Sequence, residues 1–128
     1  MNIAALIARI LLGLVFAGLG ALPFFIHNPP LQPGLAGEFN TLFYESHWVL
    51  FVAFAQVVCG LLLLANRFVP VALIILAAFL YNSYAFHITM MQIGLVGPVV
   101  VTILGLLVAL PYRDVFAPIF RAKPIATP

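Results

Sequence analysis

The sequence predicts an all-α, polytopic membrane protein in which four transmembrane helices form one bundle. Hydrophobic residues make up 66% of the 128 residues and charged residues only 6%, so polar surface is too scarce to cover a soluble globule. Four apolar stretches of about 17–25 residues also match the thickness of a bilayer's hydrocarbon core. Because backbone polar groups in lipid must be satisfied internally, each stretch is predicted to be a helix.

The four spans account for most of the chain, and the whole of 1–128 is therefore predicted to be a single membrane domain. The first apolar stretch is longer than the ~7–15-residue core of a signal peptide, so we interpret it as a retained helix. Pro70 suits the first turn of the third span, where its missing N–H needs no partner. Repeated prolines predict an irregular tail over 112–128. The predicted spans are 3–26, 48–65, 70–88 and 93–111.

A short amphipathic helix is predicted at 35–45, between the first and second spans. A run of prolines and Gly34 breaks any helix before it. Apolar side chains then recur at i, i+4, i+7 and i+8, with polar ones on the opposite side. This pattern is typical of a helix that lies in the membrane interface. The apolar positions are Leu35, Phe39, Leu42 and Phe43, and the polar positions are Glu38, Thr41 and Glu45.

The distribution of cations predicts the orientation of the bundle. Arg67 lies between the second and third spans, and further cations follow the fourth, whereas 27–47 and 89–92 contain no Lys or Arg. Cytoplasmic loops are enriched in Lys and Arg, so both termini and Arg67 are expected in the cytoplasm. The net charge of +2 comes from scattered residues, which excludes a nucleic-acid-binding surface. The lipid bilayer is the first predicted partner.

Several kinds of chemistry have no basis in this sequence. Cys59 is the only cysteine, so the chain cannot form an internal disulfide or act as a dithiol redox centre. It contains no nucleotide-binding motif, and its spans contain no set of carboxylates. The cofactor is unknown, a quinone is possible, and no catalytic residue can be assigned.

Two features of the first span each have two interpretations. Arg9 lies about two turns inside it, and can either snorkel to the cytoplasmic headgroups or act as a functional intramembrane charge. Snorkelling is the commoner case. Gly13, Ala17 and Ala21 follow one another at four-residue spacing, which lets two helices approach closely in lipid. They serve either packing inside the bundle or contact with a partner protein.

A candidate polar site lies at the outer end of the predicted bundle. The outer half of the third span is the most polar part of any span, and all three histidines fall on the same side of the membrane. Imidazole and carboxylate groups bind metals or relay protons, although the spacing matches no compact metal motif. Interfacial packing, a proton or quinone site, and metal or haem ligation all stay open. The candidate residues are His27, Glu38, Glu45, His47, Asn82, Ser83, Tyr84 and His87.

Parts of the first three spans resemble DoxX-like membrane proteins. The similar segments are RILLGLVF at 9–16, Gly60–Leu64, NRFVP at 66–70, Asn82 and Phe86-His87. The resemblance implies a compact four-helix bundle in a bacterial-type inner membrane. It also implies a link to thiosulfate:quinone oxidoreduction, membrane oxidoreductase complexes or assembly roles, with Arg9, Asn82 and His87 as candidate site residues.

The chain departs from this family pattern late in the first span. Members often have a lysine there, where this sequence reads Gly20-Ala21-Leu22-Pro23. Any substrate-binding role of that lysine is missing here.

Two functions follow from these observations. The first is an accessory subunit of a larger membrane redox or electron-transfer complex, which would make other membrane protein subunits its partners. The alternative is a self-contained quinone- or lipid-linked membrane oxidoreductase or carrier. The incomplete set of catalytic groups favours the first. A channel or transporter is disfavoured because the sequence has no repeated halves and no helices broken at the midplane.

Overall fold

The computed structural model describes residues 2–128, which contain helices and no strands. Four helical segments are long and apolar enough to cross a membrane, which confirms the predicted fold class of a small multi-pass membrane protein. The last of these segments, Gln92–Phe120, contains two α-helices and three 3-10 turns. The α-helices are α1 Ile3–Phe25, α2 Gly34–Glu45, α3 Trp48–Ala65, α4 Val69–Met90, α5 Val96–Ala109 and α6 Arg113–Phe116.

The ends of the first spans follow from local sequence. Asn2 caps α1, because its Oδ1 accepts a hydrogen bond of 2.8 Å from the Ala5 N–H. The turn between α3 and α4 uses left-handed backbone at Asn66 (φ 55°) and Phe68 (φ 51°). Asn tolerates this conformation, whereas a bulky residue such as Phe68 adopts it only when the surrounding structure imposes it. Pro70 lies in the first turn of α4, as predicted.

The closest helix approach in the bundle joins α1 to α3. A Cβ added at Gly60 would collide with the Ala17 backbone nitrogen and would lie 2.8 Å from the Gly13 carbonyl oxygen. A Cβ at Gly13 would likewise lie 2.8 Å from the Leu64 side chain. Gly13 and Ala17 therefore serve packing inside the bundle, the first of the two interpretations above.

The buried core lies toward the end of the bundle that contains the start of α1 and the α3–α4 turn. We call this end, which also contains Arg67 and Arg113, the basic end. The share of buried residues in the most apolar part of each span falls from 39% in α1 to 17% in α4 and 11% in the last span, so few residues of the last two spans are fully buried. The core residues are Ala8, Leu12, Phe16, Cys59, Leu63, Val69, Ala72, Leu76 and Val108.

At the opposite end of the bundle, which we call the α2 end, α2 packs across α3 and α4. The ring centroids of Phe39 in α2 and Phe86 in α4 are 5.3 Å apart. Phe43 meets the Trp48 ring edge-on at 5.6 Å, which fixes α2 at the start of α3. Leu35 and Leu42 stay exposed, so only part of the predicted apolar face is turned to the bundle.

The predicted irregular tail over 112–128 begins later than expected. Helical structure continues to Phe120, and only 121–128 lack a helix. Pro111 and Pro118 do not interrupt it, because each stands in the first turn of a short 3-10 segment, where a missing N–H leaves no bond unmade.

Candidate functional site

Arg9 is a buried cation that joins α1 to α3. Only 7% of the residue is exposed, and its Nη1 donates a hydrogen bond to the Leu63 carbonyl and lies 3.4 Å from the Leu64 carbonyl. Both carbonyls belong to the last turn of α3, which has a partial negative charge, and the Leu63 carbonyl also accepts the Asn66 N–H at 3.2 Å. The guanidinium therefore caps α3 from the neighbouring helix.

This geometry corrects the expectation that Arg9 snorkels to the headgroups, because the side chain is turned into the bundle. A charge at this depth is tolerated because the helix-end carbonyls solvate it. The Nε atom is buried and has no hydrogen-bond partner among residues 2–128. The arrangement is that of a structural cap, and a functional role for Arg9 stays a prediction.

His87 lies near the end of α4 in a half-buried position with a defined orientation. Its Nδ1 is 3.1 Å from the Met91 carbonyl oxygen, and its ring meets the Phe86 ring edge-on at 5.2 Å. The backbone of Gly94 passes so close that a Cβ there would collide with the imidazole. Because a carbonyl only accepts, neutral His87 holds its proton on Nδ1 and leaves the Nε2 lone pair as an acceptor.

Tyr84 lies one turn before His87, but its hydroxyl bonds to α5. The Tyr84 Oη and Thr102 Oγ1 atoms are 2.7 Å apart, and Thr102 Oγ1 donates to the Pro98 carbonyl at 2.8 Å. Since the threonine proton is used there, Tyr84 is the donor of the first bond. This short chain of hydrogen bonds joins α4 to α5. Ser83 is half-buried beside it.

Asn82 lies on a different face of α4, which is exposed. Its amide Nδ2 donates to the Ala78 carbonyl at 2.9 Å, four residues earlier in the same helix. Thr89 makes the same kind of local bond, to the Ala85 carbonyl at 2.7 Å. Four exposed residues of α4 recur at i, i+4, i+7 and i+11 and therefore share one side of the helix. They are Ala78, Asn82, Ala85 and Thr89, and we call them the Asn82 face.

The remaining candidate residues of the polar site are exposed at the α2 end. His27 follows α1, and His47 occupies a left-handed turn (φ 63°) between α2 and α3. Glu38 and Glu45 line, with Thr41, a hollow of about 540 Å³ beside α2. In residues 2–128, no three His, Cys, Asp or Glu side chains form a group that could hold a metal ion. Of the eight candidates, Asn82 faces away from His87 and the Tyr84 hydroxyl bonds to α5, and a functional site among the others stays a hypothesis.

The structure also contains an apolar groove of about 830 Å³ between α4 and α5, which the sequence interpretation missed. It extends toward the basic end, where α6 and the following turn line it. Thr102 is the deepest polar residue of its lining, and Arg113 is the one charged residue. Gly105 is one of three glycines in the predicted span 93–111, so no sequence signal distinguished the groove.

Comparison of the chain with protein-family profiles, with curated proteins and with solved structures found no match. Function must therefore be argued from the geometry of the molecule and from the resemblance in its sequence. Its placement as a small integral membrane protein follows from the four apolar helical segments.

Proposed function

We propose that the protein is an accessory subunit of a larger membrane redox or electron-transfer complex, which it binds through the Asn82 face. The observation that supports this most is the exposure of the Asn82 amide. Asn82 precedes Met90, the end of α4, by eight residues, which places it about 12 Å inside that end and within the hydrocarbon core. The amide can make four hydrogen bonds and makes one to described residues.

The residues around Asn82 suit contact with another helix. Asparagine side chains hydrogen-bond across helices in lipid, and small neighbours let the two backbones approach closely. Ala78 and Ala85 flank the amide one turn away on either side, and both are exposed. In contrast, Gly13 and Ala17 of α1 are already used against α3. The best-suited docking surface is therefore on α4, and not on α1.

The redox part of the proposal is supported by the resemblance to DoxX-like proteins. Asn82, Phe86 and His87 belong to the similar segments. The free Nε2 of His87 suits the acceptance of a proton or hydrogen bond from a redox partner. The described residues include no complete set of catalytic groups, which favours a subunit over an enzyme that acts alone.

The alternative, a self-contained quinone- or lipid-linked oxidoreductase or carrier, is favoured by the groove between α4 and α5. A quinone headgroup needs donors for its carbonyl oxygens. The Thr102 hydroxyl at the deep end already donates to the Pro98 carbonyl, and Arg113 stands at the far end of the groove. The accessory role is therefore the better supported of the two.

Purification from the native membrane tests this proposal. The tagged protein is extracted in mild detergent, separated on a blue-native gel and analysed for co-migrating subunits and their haem and flavin absorbance. We expect the wild type in a larger assembly that contains a redox subunit. Asn82→Leu should weaken the association about 3- to 20-fold, the range for one interhelical hydrogen bond in lipid.

Gln92→Leu is the matched control, because the Gln92 amide also donates to a carbonyl four residues earlier but lies beyond the end of α4. It should leave the assembly intact. A wild type that migrates as a monomer or as a homo-oligomer contradicts the accessory role. A lone protein with stoichiometric quinone supports the alternative.

A further inference from the structure

We propose that the groove between α4 and α5 binds one acyl chain of an anionic phospholipid, whose phosphate lies at Arg113. This inference is independent of the accessory role, because the groove and the Asn82 face lie on different sides of α4. The groove walls are apolar side chains of α4 and α5, among them Leu76, Leu80 and Leu106. An occupant of these walls must itself be apolar along most of its length.

The depth of the groove matches a single leaflet. Beside α4, its lining on the last span extends from Val101 to Leu110, and Arg113 and residues up to Phe120 line its mouth at the basic end. The nine residue steps from 101 to 110 correspond to about 14 Å, close to half of a hydrocarbon core of about 30 Å. A lipid chain that descends from the headgroup region of one leaflet needs only this half.

At the basic end of the groove, the positive charge of Arg113 selects the headgroup of the lipid. Arg113 is exposed, and its Nη1 lies 3.4 Å from the Leu110 carbonyl, which uses one of five donors. The remaining donors match the oxygens of a phosphate, which guanidinium groups bind in a bidentate manner. Phe116 and Phe120 line the same end, and aromatic side chains favour the headgroup level of a bilayer. An anionic lipid thus fits the whole groove: its acyl chain matches the apolar walls, and its phosphate matches Arg113.

Gly105 keeps the middle of the groove open. A Cβ built on Gly105 would have no other atom within 4 Å, so a larger side chain fits there without a collision. Such a side chain would fill the space that we assign to the acyl chain. Gly97, on the same helix, also has no atom within 4 Å but lies outside the groove. Leucine substitutions at Gly105 and Gly97 therefore form a matched pair, one inside the groove and one outside it.

The test is native mass spectrometry of the full-length protein in detergent with phosphatidylglycerol or phosphatidylcholine of identical chains. We expect one tightly bound lipid and a preference of about fivefold for phosphatidylglycerol, the effect of one basic residue. Arg113→Gln should abolish the preference, because it weakens phosphatidylglycerol more than phosphatidylcholine, whose phosphate loses the same hydrogen bonds but whose choline cation already offsets the phosphate charge. Gly105→Leu should weaken both lipids about tenfold, whereas Gly97→Leu should bind as the wild type does.

Ala77→Leu fills the groove from the α4 side and serves as a second variant if Gly105→Leu does not fold. Equal binding of the two lipids by the wild type overturns the assignment of the phosphate to Arg113. Wild-type affinity in both groove-filling variants overturns the assignment of the acyl chain. A co-purified quinone that these variants lose makes the groove a quinone site and contradicts the proposal.

Discussion

Arg9 illustrates how a single residue can place a charge inside an apolar bundle without a carboxylate. Its Nη1 is directed at two carbonyls in the last turn of α3, of which Leu63 also accepts the Asn66 backbone N–H. The cation gains hydrogen bonds and the partial negative charge of a helix end, and α3 gains a cap. The side chain thereby links the start of α1 to the end of α3.

We expect Arg9→Leu to lower the free energy of unfolding by about 1–3 kcal/mol, since hydrogen bonds from a charged donor contribute about this much. Unfolding in mixed detergent micelles, followed by circular dichroism, measures the change. Arg67→Gln is the control, because Arg67 is an exposed cation at the same end and its loss should cost less than about 0.5 kcal/mol. Equal stability of Arg9→Leu and the wild type would rule out the capping role.

The sequence identified Arg9 but not its direction. An ionisable residue in an apolar stretch is visible at once. Its acceptor, however, is 54 residues away along the chain, so only the packing of α1 on α3 determines where the guanidinium goes. The same is true of Tyr84, whose position one turn from His87 suggested a shared site although its hydroxyl bonds to Thr102 of α5.

At the scale of elements, hydropathy was sufficient to locate the helices. The predicted bounds of α3 are those observed, and α2 begins one residue before its predicted start. Helical structure in the last span extends beyond the predicted end, because Pro111 and Pro118 stand where a proline is tolerated and do not break the helix. The groove could not be predicted, because it depends on the separation of two helices and not on the pattern of either.

The crossing of α1 and α3 gives a second prediction. Gly60→Ala should lower the free energy of unfolding by about 1–3 kcal/mol, because its new methyl group meets backbone atoms of α1 that cannot move aside. Gly18→Ala should be neutral or slightly stabilising, since it meets no atom within 4 Å and alanine favours a helix. The same micelle unfolding assay compares them. If the two variants are equally stable, the close approach at Gly60 has been misjudged.

At the scale of the whole molecule, the two ends of the bundle differ in charge and construction. The basic end contains the buried core, Arg9 and the last cations, and the α2 end contains the aromatic contacts of α2 together with Glu38 and Glu45. Because α4 exposes both the Asn82 face and one wall of the groove, this one helix contributes to both of the proposed contacts, the partner subunit and the lipid. The difference in charge between the two ends predicts an orientation in the membrane, which labelling from one side can test.

We predict that the basic end is cytoplasmic and that α2 is outside, because 27–47 contains no Lys or Arg. Single cysteines are introduced at Thr41 and Thr127, both exposed, and intact cells are treated with an impermeant maleimide. Cys59 is buried, so the wild type is the unlabelled control. We expect labelling at 41 and none at 127 until the cells are permeabilised; the reverse pattern would invert the orientation and place the proposed lipid phosphate at Arg113 in the outer leaflet.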